Sequence, residues 1–136
     1  NGVQGEVERL WRDSSSVRVS YSLQHAQDQS GARLVNSPNH IAKFDAMVPL
    51  LGDKLRGGLA LRYLGSRLSR SDARIGAYTT ADLTLSSEQL FPGVDVSFSI
   101  YNLFDKSYND PVSDAHRQDR IAQDGRSVRL KITARF

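Results

Sequence analysis

The sequence predicts an all-β chain, an antiparallel up-and-down meander of about seven long strands. Three observations predict this fold: apolar and polar residues alternate in several stretches, the connections between these stretches alternate between short and long, and no apolar run is long. Alternation with a period of two is typical of a strand, because successive side chains point to opposite faces of the sheet. A membrane helix needs roughly 18 consecutive apolar residues, so the sequence excludes a helical membrane protein.

The first four predicted strands cover residues 3–8, 17–24, 40–51 and 55–68. In each of them small or apolar residues alternate with polar ones. The apolar face of the second strand consists of Val17, Val19, Tyr21 and Leu23. Pro49 is placed near the end of the third strand, because proline cannot donate a hydrogen bond to a neighbouring strand.

The last three predicted strands cover residues 78–87, 94–100 and 127–136. The final one alternates most regularly. Its apolar face consists of Val128, Leu130, Ile132, Ala134 and Phe136. Aromatic residues lie near several strand ends, where a girdle would sit and where ordinary packing would also place them, namely Tyr21, Tyr63, Tyr78, Tyr101 and Phe136.

The connections between the predicted strands follow a regular order. Short ones lie near residues 11–15, 52–54 and 87–93, and long ones at residues 25–39, 65–76 and 104–125. Outer-membrane barrels have short periplasmic turns and longer outer loops, and their strands are apolar only at alternate positions. The polar face would then line the barrel interior, with Arg18, Lys43, Arg62, Arg129 and Lys131.

Two motifs in the last third of the chain carry a resemblance to a known family. Residues 101–106 read YNLFDK and are followed by Tyr108, and residues 123–126 read QDGR before the strand that closes on Phe136. This region resembles the C-terminus of TonB-dependent outer-membrane receptors. A weaker resemblance extends upstream over essentially the whole chain.

The resemblance implies a receptor in the bacterial outer membrane that takes up a scarce ligand, such as a ferric siderophore, haem or cobalamin. It implies contact with outer-membrane lipid and makes the terminal aromatic residue, Phe136, part of the signal that the barrel-assembly machinery reads. TonB would be engaged only through an N-terminal part that this sequence lacks. No bond is made or broken in such uptake, so the chain is not expected to be an enzyme.

Seven strands are an odd number, whereas single-chain bacterial barrels have an even number. An open meander would also leave two unpaired edge strands, which tend to aggregate. We therefore expect residues 1–136 to be the C-terminal segment of a larger receptor barrel, without its plug domain and earlier strands.

Motifs for catalysis or for a cofactor are missing from the sequence. It contains no cysteine, no paired metal-ligand histidines and no nucleophile elbow, so we predict no catalytic, cofactor or metal residues. The net charge of +3 is spread out, which does not indicate nucleic-acid binding. The candidate ligand-binding residues lie in the predicted outer loops and are Arg67, Arg70, Arg74, His116 and Arg117.

Two other readings stay open at this point. A small complete outer-membrane barrel, an adhesin or an enzyme, would need an eighth strand hidden within residues 104–125. A soluble β-sandwich binding module would need a second layer to cover the apolar face of the sheet.

Overall fold

The computed structural model describes residues 2–24, 38–52, 54–68, 74–111 and 120–135. In this part of the chain no helix is long and apolar enough to cross a membrane. The strands in chain order are β1 (Gly2–Leu10), β2 (Ser16–Gln24), β3 (His40–Pro49), β4 (Arg56–Leu64), β5 (Arg67–Leu68), β6 (Arg74–Ile75), β7 (Tyr78–Phe91), β8 (Val94–Tyr101), β9 (Asn109–Pro111), β10 (Arg120–Ala122) and β11 (Ser127–Ala134).

Seven of these strands form one sheet in the order β1-β2-β3-β4-β7-β8-β11. Every neighbouring pair is antiparallel. The predicted meander of seven strands is therefore confirmed. The remaining four strands form two small ribbons, β5 with β6 and β9 with β10, and each ribbon lies within one of the predicted long connections.

The strand register gives the sheet one apolar face and one polar face. Residues that are paired across strands share a face, and one row runs Val7, Val19, Phe44, Leu61 and Ala81. The next row on the opposite face runs Glu8, Arg18, Asp45, Ala60 and Asp82. Because a shift of one residue would exchange the two faces, the alternation in the sequence fixes this register.

No second layer covers the apolar face among the described residues. Val128, Leu130 and Ile132 remain 62%, 62% and 64% exposed, and in this part of the chain only Ile75 and Ala81 are buried apolar side chains. A soluble sandwich would bury such a face between two sheets. The described part of the 104–125 connection also adds no eighth strand to the sheet, because β9 pairs with β10.

Two strand ends differ most from the prediction, those of β4 and β7. The fourth strand ends at Leu64 rather than residue 68. Just beyond this end, the Gly65 N–H donates to the His40 carbonyl at 2.7 Å. A Cβ at position 65 would lie 3.0 Å from that same oxygen. The chain resumes as β5 beyond this contact, outside the main sheet.

The fifth predicted strand, which is β7 of the structure, continues to Phe91, beyond the predicted end at residue 87. Its pairing with β8 shifts register between Ser87 and Phe91, which is the mark of a β-bulge. The turn is only Pro92 and Gly93. Gly93 has a φ of +76°, and a Cβ there would lie 2.7 Å from the Arg135 carbonyl oxygen, so glycine is required.

The connections separate the two ends of the sheet. We call the end with the short connections, at residues 11–15, 50–55 and 92–93, the turn end. The end with the long connections, at residues 25–39, 65–77 and 102–126, is the loop end. This arrangement agrees with the predicted alternation and places both small ribbons at the loop end.

The turn between β1 and β2 contains a hydrogen-bonded carboxylate. The Ser15 N–H and hydroxyl donate to the two oxygens of Asp13 at 3.0 and 2.9 Å. These bonds lower the pKa of Asp13 below its ordinary value, the backbone bond being the larger cause. The contribution of Asp13 to stability is therefore present above the ordinary pKa of an aspartate and is lost as the pH falls through the lowered pKa.

We expect the ¹³C chemical shift of the Asp13 carboxylate to titrate below the pH range of an unfolded aspartate. The measurement is an NMR titration of the full chain in detergent or lipid, with the Asp13 signal assigned from the Asp13→Asn variant. In Ser15→Ala the backbone donor remains and the hydroxyl is lost, so the pKa should rise part of the way towards its ordinary value. An Asp13 pKa at the unfolded value would contradict this geometry.

Candidate functional site at the loop end

The turn that follows β8 depends on the side chain of Asn102. Asn102 is 5% exposed and has a φ of +51°, a left-handed conformation that asparagine tolerates better than most residues. Its Nδ2 donates to the Lys106 carbonyl and its Oδ1 accepts the Lys106 N–H, each at 2.9 Å. The Asn102 N–H donates to the Asp82 carboxylate at 2.9 Å. The buried side chain of Asn102 thus closes the turn, and its backbone N–H fixes the turn to β7.

The same turn contacts the residues that precede β11. The Arg126 N–H donates to Asp105 Oδ1 at 2.7 Å. A Cβ at Gly125 would lie 2.5 Å from this oxygen, so only glycine leaves room for the carboxylate. We call Asn102, Asp105, Gly125 and Arg126 the corner. It explains why the YNLFDK and QDGR motifs occur together: each supplies half of one hydrogen-bonded structure.

Beyond the corner, two long connections meet close to the sheet. We call the part of each connection that lies next to the sheet its stem. The Tyr78 and Tyr108 rings stack with centroids 4.2 Å apart, and the Gln123 N–H donates to the Tyr108 carbonyl at 2.9 Å. Arg67 places its guanidinium 5.6 Å from the Tyr78 ring centroid and donates to the Asn109 carbonyl at 3.2 Å. We call Arg67, Tyr78, Tyr108 and Asn109 the stem cluster.

A cavity of about 390 Å³ opens on the polar face between the sheet, the corner and the stem cluster. Its polar lining includes Arg62, Tyr78, Asp82, Tyr101, Tyr108 and Asp124. Three tyrosines and one arginine provide aromatic surface and hydrogen-bond donors, which suits a polar ligand with ring systems. No group of three His, Asp or Glu side chains that could hold a metal ion occurs in the described residues.

A second cavity, of about 300 Å³, lies farther along the polar face and is lined by Glu8, Arg18, Asp45 and Asp82, among others. Arg18 donates to Glu8 at 3.0 Å and lies 3.7 Å from Glu6. The polar face therefore carries paired charges, and Arg18 lies on this face as predicted. The face that would line a barrel interior is built to meet water or polar groups.

The predicted ligand-binding residues have different surroundings. Arg67 is only 3% exposed and belongs to the stem cluster, whereas Arg74 is exposed and donates to the Ser66 hydroxyl at 3.2 Å. Arg70, His116, Arg117 and Phe136 lie outside the described residues. The role of the five residues in ligand binding, and that of Phe136 in barrel assembly, stay predictions.

Two of the cavity tyrosines, Tyr78 and Tyr101, belong to the aromatic residues for which a girdle was considered, and here the structure differs. Tyr21 and Tyr63 do lie on the apolar face. Tyr78 and Tyr101 share the polar face, paired with Leu64 and Ser127. Alternate residues of a strand share a face, so counting in steps of two from Asp82 predicts Tyr78 on the polar face, although it does not predict the cavity.

Comparison with known proteins gives a fold likeness. No family model matches the sequence, and no curated relative matches it. The structure resembles the crystal structure, in a closed form, of the ferric-catecholate import receptor Fiu from E. coli K12, with a TM-score of 0.80 and 21% sequence identity. The chain has the fold of one segment of that receptor.

The match covers 99% of this chain and 20% of the Fiu chain. The chain thus spans about a fifth of the length of the receptor that it resembles. The likeness confirms the predicted fold, a meander that forms part of a barrel wall. The likeness concerns the arrangement of the strands. At 21% sequence identity it shows the fold alone.

Proposed function

We propose that this chain is the C-terminal part of a TonB-dependent receptor barrel in the bacterial outer membrane. The observation that carries the proposal is the single-layer sheet with an uncovered apolar face and a polar face of paired charges. Lipid would cover the first face, and the water-filled or plugged interior would meet the second. The YNLFDK and QDGR motifs and the fold likeness to Fiu support the same assignment.

The activity of the whole receptor would be energy-coupled uptake of a scarce ligand, of the ferric siderophore, haem or cobalamin class. We favour a ferric siderophore, because the similar receptor Fiu is a ferric-catecholate import receptor. Such a chelate is aromatic, and the cavity offers three tyrosines beside the charged side chains Arg62, Asp82 and Asp124. TonB would act through an N-terminal part outside this sequence, and uptake would involve no catalytic residue.

The first test is the size and location of the native polypeptide. Antibody raised against this chain is used to blot fractionated cells, with boiled and unboiled samples. We expect a heat-modifiable band several times larger than 15.1 kDa, confined to the outer membrane. A soluble band near 15.1 kDa would contradict the proposal and favour a water-soluble β domain, and an outer-membrane band of that size would favour a small complete barrel.

The second test concerns the 104–125 connection, which we propose contributes to ligand capture. Deleting residues 107–118 in the whole receptor removes Tyr108 from the cavity and should weaken ferric siderophore binding by about tenfold or more, the range expected when an aromatic contact is removed from a buried site. The measurement is ligand affinity and uptake, at equal receptor abundance in the outer membrane. Unchanged affinity and uptake would refute this role.

A matched control keeps the length of the connection. Residues 112–118 are replaced by glycine and serine, so that Tyr108 and Asn109 remain while the outer sequence changes. If the described stem lines the ligand cavity, this control should retain more affinity than the deletion. Equal loss in both would assign ligand contact to the outer part of the connection alone.

A further inference from the structure

Arg67 lies where two separate connections at the loop end come together. It begins the β5–β6 ribbon of the 65–77 connection, yet its Nη2 donates to the Asn109 carbonyl, which belongs to the 102–126 connection, at 3.2 Å. The side chain is 3% exposed. An arginine aimed at a ligand outside the protein would be open to solvent, so this burial indicates a different role.

A continuous set of contacts leads from Arg67 to both ends of the 102–126 connection, the end that follows β8 and the end that precedes β11. The guanidinium lies 5.6 Å from the Tyr78 ring centroid, and the Tyr78 ring stacks on Tyr108 at 4.2 Å. At the end that precedes β11, the Gln123 N–H donates to the Tyr108 carbonyl at 2.9 Å. Ile75 in β6 is one of the two buried apolar residues in the described chain.

Burial of a guanidinium is costly unless the group is hydrogen-bonded. A site that holds a buried guanidinium must therefore place hydrogen-bond acceptors in the right positions around it. Arginine meets the demands here because its planar group can face an aromatic ring and still donate at its edge. Lysine has a compact ammonium group and cannot do both equally well. The stem cluster is therefore built around arginine rather than around positive charge alone.

We propose that Arg67 is a positioning residue that couples the stems of the 65–77 and 102–126 connections, so that the two stems move together. A displacement of either stem is then transmitted to the other through Arg67, Tyr78 and Tyr108. This inference goes beyond the proposed function, because it concerns how the connections respond to each other and does not depend on which ligand is bound or whether one is transported.

The test is hydrogen exchange followed by mass spectrometry on the full-length protein that contains this chain. In Arg67→Met, peptides that contain the Gln123 amide should exchange about tenfold faster, the effect of losing roughly one net hydrogen bond from a local opening equilibrium. The matched control is Arg74→Met, an exposed arginine of the same ribbon, which should leave those peptides within about twofold of the wild type.

A reciprocal variant separates coupling from local damage. Tyr108→Ala should speed exchange at the β5–β6 amides, although position 108 belongs to the other connection. Arg67→Lys should lie between the wild type and Arg67→Met. Peptides from β7 and β8 report that the sheet itself is folded, and they should be unchanged in every variant.

The proposal fails if Arg67→Met leaves the peptides that contain Gln123 as slow as in the wild type while the β5–β6 peptides become fast. It also fails if Tyr108→Ala affects only its own connection. Should Arg67→Met not reach the membrane, the Tyr108→Ala and Arg67→Lys variants still decide the matter, because each keeps either the arginine or the positive charge. None of these readouts requires ligand, so they can fail independently of the proposed function.

Discussion

Leu130→Arg should destabilise the folded protein in a lipid bilayer by about 2–4 kcal/mol, the cost of an arginine facing lipid near the middle of a barrel strand. Leu130 is at the centre of β11, paired with Phe98 on the apolar face, and is 62% exposed. If water covered this face, replacing a largely exposed leucine would change stability by only about 0.5 kcal/mol or less. The size of the loss in unfolding free energy therefore shows whether lipid or water covers the apolar face.

The measurement is reversible denaturant unfolding of the full-length protein in lipid, with the free energy extrapolated to zero denaturant. The matched control is Thr133→Arg on the same strand but on the polar face, where it pairs with Asp95. There the added charge lies on the polar face beside Asp95, which already accepts from Arg135 at 2.7 Å, and we expect a change of about 0.5 kcal/mol or less. Equal effects for both variants would exclude a lipid-facing surface.

The second large effect is expected at the corner. Asn102→Ala removes both side-chain bonds to Lys106 and places alanine at a φ of +51°. Two net hydrogen bonds contribute about 1–3 kcal/mol together, and the left-handed conformation costs a non-glycine residue about 1–2 kcal/mol. We expect the variant to lose about 2–4 kcal/mol of unfolding free energy, partly offset by the strain that asparagine already bears.

The Asn102→Gly variant separates the two causes. Glycine adopts the positive φ without strain, so this variant should lose only the hydrogen-bond contribution and be about 1 kcal/mol more stable than Asn102→Ala. The measurement is again denaturant unfolding in lipid. If both variants are as stable as the wild type, the corner does not contribute to folding and the motif must be explained by another role.

The other half of the corner provides an independent check through a double-mutant cycle. Gly125→Ala would force the Asp105 carboxylate away from its bond to the Arg126 N–H, because the new Cβ would lie 2.5 Å from that oxygen. In an Asp105→Ala background the same substitution has nothing to displace. The cost of Gly125→Ala should therefore be smaller there, and the difference is the coupling energy of the corner.

Local pattern was sufficient to predict the sheet. The period of two along β2 and β11 reports directly which side chains share a face, because the alternation is a property of the extended backbone itself. The order of short and long connections then allowed an antiparallel meander with no crossovers. Charged residues such as Arg18 fell on the polar face for the same reason.

The strand ends could not be predicted so well. Just beyond the end of β4, Gly65 approaches His40 on another strand. After the register shift in β7, the turn needs Gly93 beside Arg135. Each is a contact between residues far apart in the chain. The alternation weakens beyond Tyr63 and beyond Leu85, but this change alone does not show where pairing with a neighbouring strand stops.

The sequence by itself determined the sheet, its two faces and the two motifs of the last third, because periodicity and residue type are local. Only the tertiary structure decided that Asp105 and Arg126 meet in one corner, that Tyr78 and Tyr101 line a cavity, and that Arg67 is buried instead of reaching outward. Those facts depend on which strand lies beside which and how closely the backbones pass. Distances across the sheet are set by packing, and no single stretch of sequence contains them.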